Sequence, residues 1–175
     1  GGLKQIEPVD KKGNFIRETG AHIMQYVIGT IDKWDEYAAI FDNSELEERL
    51  FRGTDFLRQL MWGPLEEGRV IVAEDDNGEA IGIMVYNMKG MFGELPYLDL
   101  LGVKDGHRSR GIGKGLIELF LSLAKGLGHK KAFICTSDFN LGAKRLYESM
   151  GFKVIYLFDD LFGQGAAEYL FMKEI

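Results

Sequence analysis

The stretch Val103-Lys104-Asp105-Gly106-His107-Arg108-Ser109-Arg110-Gly111-Ile112-Gly113-Lys114 joins two apolar runs of different period. Before it, residues 95–103 read as a strand. After it, Ile112, Leu116, Leu119, Phe120, Leu123 and Leu127 recur at the spacing of a helix packed on a sheet. The stretch is therefore a loop that ends in a helix N-terminus. Such a terminus carries unpaired N–H groups and the positive end of the helix dipole, and both attract an anion. Gly111 and Gly113 lack a Cβ, so a phosphate can approach the backbone, and Arg108, Arg110 and Lys114 add positive charge at the same place. Other phosphate loops fit poorly. The P-loop pattern G-x-x-x-x-G-K-[ST] fails because Gly111 is followed by Ile112-Gly113, and G-x-G-x-x-G fails because Leu116 stands at its third glycine. On residue types alone, a second reading stays open: the glycines only permit close helix–sheet packing and the arginines are solvated.

Outward from this loop, the chain alternates strands and helices. Residues 21–30 read as a first strand. Asp32 is expected to cap a helix carrying Trp34, Tyr37, Ala38 and Phe41, and the stripe of Trp34, Tyr37 and Phe41 is read as helix core rather than a substrate cage. A second helix is expected over 44–62, opened by the capping box Ser44 with Glu47, weakened at Gly53 and stopped by Gly63-Pro64. Runs 69–74 and 80–87 flank Asp75-Asp76-Asn77-Gly78, a hairpin signal. Residues 131–136 read as a strand, 139–150 as a helix closed by Gly151, and 152–158 and 167–172 as two last strands. The expected class is α/β: a central mixed β-sheet with helices on both faces. Residues 1–20 are polar and irregular, with Gly13-Asn14 as a turn, and read as an N-terminal extension to a domain over 21–175.

The chain has 175 residues, 46% of them hydrophobic, which is enough for one domain with a sizeable core. A formal net charge of −6 argues against a general nucleic-acid binder and suits a cationic partner. The single cysteine, Cys135, cannot form an internal disulfide, and no run approaches the ~20 apolar residues of a membrane span. With no secretory pattern at the start, the expectation is a cytoplasmic protein without a membrane partner. His22, His107 and His129 form no metal-ligand spacing with Cys135, so no metal is expected.

The loop resembles the acetyl-CoA motif of the GCN5-related N-acetyltransferases (GNAT), V-x-P-x-x-[QR]-x-x-G-x-[GA], with Asp105 where proline is usual. Downstream, Asn140-Leu141-Gly142-Ala143-Lys144-Arg145-Leu146-Tyr147-Glu148-Ser149-Met150-Gly151-Phe152 is similar to the family's N-x-x-A-x-x-L-Y-x-x-x-G-F. The likeness covers about residues 21–175, and the expected element order agrees with the family fold.

The resemblance implies transfer of an acetyl group from acetyl-CoA to a primary amine, on a small molecule or a protein, by direct attack on the thioester. It implies that the backbones of Leu101, Gly102 and Val103 hold the cofactor arm and the acyl carbonyl. Arg108, Ser109, Arg110, Gly111, Ile112, Gly113 and Lys114 would hold the pyrophosphate, and Asn140, Ala143 and Tyr147 would meet the cofactor arm. Tyr147 matches the family's general acid, although its position on an apolar face is also a core pattern. Asn140 is equally a helix-start residue. Asp99, inside an apolar strand, is the candidate base; a paired structural carboxylate or a solvent-facing one is the other reading, and Glu94 or a water chain the other base. A homodimer is compatible with this reading. The alternative function is a non-catalytic acyl-CoA-binding or regulatory domain of the same fold, and a generic nucleotide binder is a more distant rival.

Overall fold

A computed structural model describes the backbone of residues 15–19 and 22–175, with side chains from Met24 onward. The apolar runs pair into one eight-stranded sheet: β1 (Phe15–Thr19), β2 (His22–Ile28), β3 (Val70–Glu74), β4 (Ala80–Met91), β5 (Leu95–Val103), β6 (Lys131–Ser137), β7 (Lys153–Phe158) and β8 (Glu168–Glu174), in the order β1-β2-β3-β4-β5-β6-β8-β7. Every neighbouring pair is antiparallel except β5 with β6. The mixed α/β class expected from the sequence is the one observed.

Helices cover both faces because the apolar residues of β3, β4 and β5 divide between two cores. On one face, α3 (Ile112–Gly126) and α4 (Leu141–Ser149) bury Ile112, Leu116, Ile117, Phe120 and Tyr147 against Met84, Leu98, Ile134 and Phe171. On the other, α1 (Trp34–Ala38) and α2 (Phe56–Glu66), with a 3-10 turn Ala39–Phe41 and a π-helical turn Glu47–Phe51 between them, bury Tyr37, Phe41, Phe51, Met61 and Leu65 against Val72, Ile83, Val85 and Leu100. Tyr37 and Phe41 are core residues, as their stripe suggests. Trp34 is partly buried, edge-on to Trp62 at 5.7 Å.

Several elements depart from the sequence reading. Residues 15–19, expected to be irregular, form β1, paired from Phe15↔Tyr26 to Thr19↔His22. Five residues, three of them polar, give too weak a period to recognise alone, and pairing with β2 supplies the backbone bonds. The Gly13-Asn14 turn lies outside the described residues. Asp32 is not an N-cap: Thr30, extended at φ −123° and ψ 149°, takes that position and Asp32 lies inside the first turn. The helix expected over 44–62 opens with the expected Ser44–Glu47 capping bond, Glu47 N–H to Ser44 Oγ at 3.0 Å, and breaks at Gly53, φ 70°. Pro64 does not stop it. α2 runs through to Glu66, because Gly63 has open space and no Cβ to meet the proline ring, and Pro64 removes only one donor. The helix is closed instead by Gly68, left-handed at φ 70° just after the C-cap Glu67. Finally, β4 extends to Met91 and turns into β5 through Phe92 and Gly93, both left-handed at φ 56° and 74°. A phenylalanine in that conformation is rare, which hides the turn in the sequence.

Candidate active site

The site begins with a break in the sheet. β5 pairs in parallel with β6 only at Tyr97↔Phe133 and Leu98↔Ile134, and the strands then part. On its other edge, β5 stays paired with β4 up to Gly82↔Val103, but the register slips: Val85 faces Leu100 while Tyr86 faces Leu98. Asp99 is the extra residue of this bulge. The slip reverses the alternation, so Leu98 lies in the α3–α4 core and Leu100 in the α1–α2 core although they are two residues apart. Beyond the bulge, the β6-facing backbone of Leu101, Gly102 and Val103 lies outside the β5–β6 ladder. Gly102 is also a space requirement: an added Cβ would lie 2.4 Å from Phe41 Cε1.

β5 leads into the exposed loop and α3. Gly111 is the N-cap of α3, left-handed at φ 81°, with nothing within 4 Å of an added Cβ and no side-chain cap on the helix end. The first helical bond is Gly115 N–H to the Gly111 carbonyl at 2.9 Å, so the N–H groups of Ile112, Gly113 and Lys114 face out of the helix end. The two glycines therefore differ. Gly111 serves the turn; Gly113 is buried, with Leu146 Cδ2 3.2 Å from an added Cβ, so it allows α3 to approach α4. Ser109 is also left-handed, φ 62°. Arg108, Arg110 and Lys114 are exposed, and Arg108 Nε donates to the Val103 carbonyl at 3.4 Å.

A cleft lies where β5 and β6 part. Asp99, Leu101, Asn140 and Tyr147 line it, so the structure brings together residues 48 positions apart in the chain. Burial raises the Asp99 carboxyl to about 6, with Arg69 pulling the other way. Tyr147 is 4% exposed, edge-on to Phe171 at 5.6 Å, and burial raises its phenol. It is both a core residue and a cleft residue. Asn140 caps α4, its Oδ1 accepting from Ala143 N–H at 3.2 Å, which leaves its amide N–H groups for the cleft. Glu94 does not reach the site: it is exposed in the β4–β5 turn.

Sequence reasoning missed Glu168. This carboxylate is 4% exposed, accepts a hydrogen bond from Ser137 Oγ and, at 3.7 Å, one from the Cys135 thiol, and lines the same cleft. Burial raises its pKa, against the lowering effect of Ser137 and Cys135. The signal that singled out Asp99, an acid inside an apolar run, is present here too, at the head of Glu168–Glu174. Burial, with Glu168 adding to it, pushes the Cys135 thiol up to about 12, which keeps it protonated and inert as a nucleophile. Among the described residues no group of histidine, cysteine, aspartate and glutamate could hold a metal ion, and no helix is long and apolar enough to cross a membrane. Chemically, the arrangement offers anion donors at α3, backbone donors along β5, a carboxylate able to accept a proton near neutral pH, and a phenol able to give one.

The comparisons with known proteins agree with this fold. A model of the family described as Acetyltransferase (GNAT) family matches residues 32–152. Human N-acetyltransferase 8B is 40% identical over 53 residues, 30% of this chain. That segment spans only 23% of the human protein. Among solved structures, an acetyltransferase of the GNAT family from Bacillus cereus ATCC 10987 superposes with a TM-score of 0.67 at 22% identity, over 86% of this chain and 96% of that one. NAA60 of Arabidopsis thaliana, solved with a bisubstrate analogue, gives 0.63 at 21%, over 87% and 98%. At these identities the structures share the fold.

Proposed function

The chain belongs to the GNAT family of acetyltransferases, and from that premise we propose that it transfers the acetyl group of acetyl-CoA to a primary amine by direct attack on the thioester. The observation that carries the reading is the single cleft shared by Asp99 and Tyr147 at the parting of β5 and β6. Acetyl-CoA supplies the activated acyl group, and the chain fits it at both ends. The pyrophosphate would sit on the N–H groups at the head of α3, where Gly111 leaves open space. The arm and acyl carbonyl would lie along the Leu101–Val103 backbone, outside the β5–β6 ladder.

Three tasks then fall to this chain. An alkylamine is cationic below its pKa of roughly 10 and must lose a proton to attack. Asp99, held near 6, accepts that proton at its carboxylate. The oxyanion that forms as the nitrogen–carbon bond closes is met by backbone N–H groups of β5. As the carbon–sulfur bond breaks, Tyr147 gives its phenol proton to the thiolate and the nitrogen gives up its second proton, which restores the phenol, yielding amide and free CoA. The buried phenol, which stays protonated at neutral pH, suits that role.

The test is thiol release and thermal stability measured together. Acetyl-CoA at 100 times its Kd should add about 2.7 kcal/mol, and Gly111→Val should remove the shift while the variant stays folded. Free thiol should then accumulate only when an amine is added. Stabilisation without thiol release for any amine would leave the non-catalytic acyl-CoA-binding domain as the correct reading.

A further inference from the structure

The part of the cleft lining that comes from the helical layer is apolar. Leu46, Leu50, Phe51, Phe56 and Leu60 supply it, together with Phe162 from the β7–β8 connection. Three of these rings form a row, Phe51 to Phe56 at 6.0 Å and Phe56 to Phe162 at 5.9 Å between centroids. Phe162 is 47% exposed, so this row extends from the core out to solvent. Among the described residues the only charged side chains of the lining are the carboxylates of Asp99 and Glu168, both from the sheet, with no lysine or arginine. Asp99 already has a task in the proposed reaction, and Glu168 has none. Its hydrogen bonds from Ser137 and Cys135 fix the carboxylate in the lining from β8, the neighbour of β6, while Asp99 comes from β5 on the other side of β6.

We infer that the acceptor is an ammonium compound bearing an apolar group of aromatic size and no carboxylate beside the nitrogen, with Glu168 selecting the cation and the Phe51–Phe56–Phe162 row holding the apolar group. Glu168 is a specificity residue in this scheme. It draws the protonated amine into a low-dielectric cleft, and Asp99 removes the proton once the nitrogen reaches the thioester. The aromatic row gains by covering its own exposed surface with the substrate's. A carboxylate next to the amine would face two acidic side chains and be rejected.

The inference rests on the acetyltransferase reading, and the experiment separates the two. Rates of thiol release from acetyl-CoA are compared for 2-phenylethylamine, ethylamine and phenylalanine, which share the amine and differ in the apolar and anionic parts. The expected order of kcat/KM is phenylethylamine above ethylamine by about tenfold or more, with phenylalanine well below phenylethylamine. Glu168→Gln keeps an acceptor for the Ser137 hydroxyl and removes the charge; KM for phenylethylamine should rise about tenfold, with kcat changed much less. Phe162→Ala, at an exposed position, should bring the phenylethylamine-to-ethylamine ratio toward one, and this arm is independent of how Glu168→Gln folds. Equal rates for ethylamine and phenylethylamine, a preference for phenylalanine, or an unchanged ratio in Phe162→Ala would overturn the inference while leaving the acetyltransferase reading intact. No thiol release from the unaltered protein with any amine would overturn that reading, and this inference with it.

Discussion

The two ends of β5 illustrate two ways of building a site. At its C-terminal end, the strand runs into Arg108–Lys114 and α3, where every useful feature is local: a left-handed glycine, a bare helix end, exposed cations. In its middle, at Asp99, nothing is local. The bulge exists because β5 slips against β4, the cleft because β5 parts from β6, and the second carboxylate arrives from β8. The loop needs particular conformations and can be read from a dozen residues. The cleft needs four strands and the helical layer to be assembled first. Changes at the loop should therefore act mainly on binding, and changes at the cleft on chemistry and stability together.

The largest expected effect tests the cleft. Tyr147→Phe should lower kcat by on the order of 10²–10⁴ with little change in acetyl-CoA affinity. Steady-state rates beside a binding titration check this, and a loss of only two- or three-fold would make Tyr147 a packing residue of the α3–α4 core alone.

Asp99→Asn should act in two directions. In the unaltered protein, the rate should climb as pH rises through about 6, where Asp99 becomes able to accept a proton. The variant should lack that limb, run about 10²-fold slower at neutral pH, and recover at high pH where the free amine is abundant. Stability moves oppositely. A carboxyl whose folded pKa lies above its unfolded value near ~3.9 contributes stability below that value and loses it as pH rises through about 6. At pH 7 the variant should therefore be more stable, by on the order of 1–3 kcal/mol, and the gain should vanish below pH 4. Denaturant titrations at the two pH values check this; a gain that persists in acid would mean that the charge of Asp99 is not what destabilises the fold.

The smallest effect separates the two kinds of glycine. Gly102→Ala would push a methyl group to 2.4 Å from Phe41 and should cost about 1–3 kcal/mol by overpacking. Gly111→Ala has open space, so its cost is conformational only, about 1–2 kcal/mol for a left-handed alanine. Combining Gly102→Ala with Phe41→Leu should recover part of the first loss, and no core substitution should recover the second. Thermal melts of these three variants, and of Gly111→Ala combined with Phe41→Leu, would sharpen or erase the distinction.

What the sequence determined by itself is whatever depends on neighbours within a few residues. The α3 terminus, the Asn140 cap, the Ser44 capping box, the turn at Gly78 and the bounds of β5 all rest on short-range hydrogen bonds and steric preferences, and all were legible. Even there, a strong rule yielded to context at Pro64, where Gly63 let the helix continue. The tertiary structure decided what depends on register between distant segments. Which face Asp99 projects from follows from a one-residue slip against β4, and period-2 alternation cannot announce a slip whose cause lies in another strand. β1 exists because β2 offers it an edge. Glu168 joins the cleft because β8 lies beside β6, 31 residues back along the chain at Ser137, and only that pairing turns an ordinary acid at a strand end into a buried carboxylate. A chain records its local conformational preferences residue by residue; its long-range registers are free-energy minima of the whole sheet, set only when all the strands compete for partners at once.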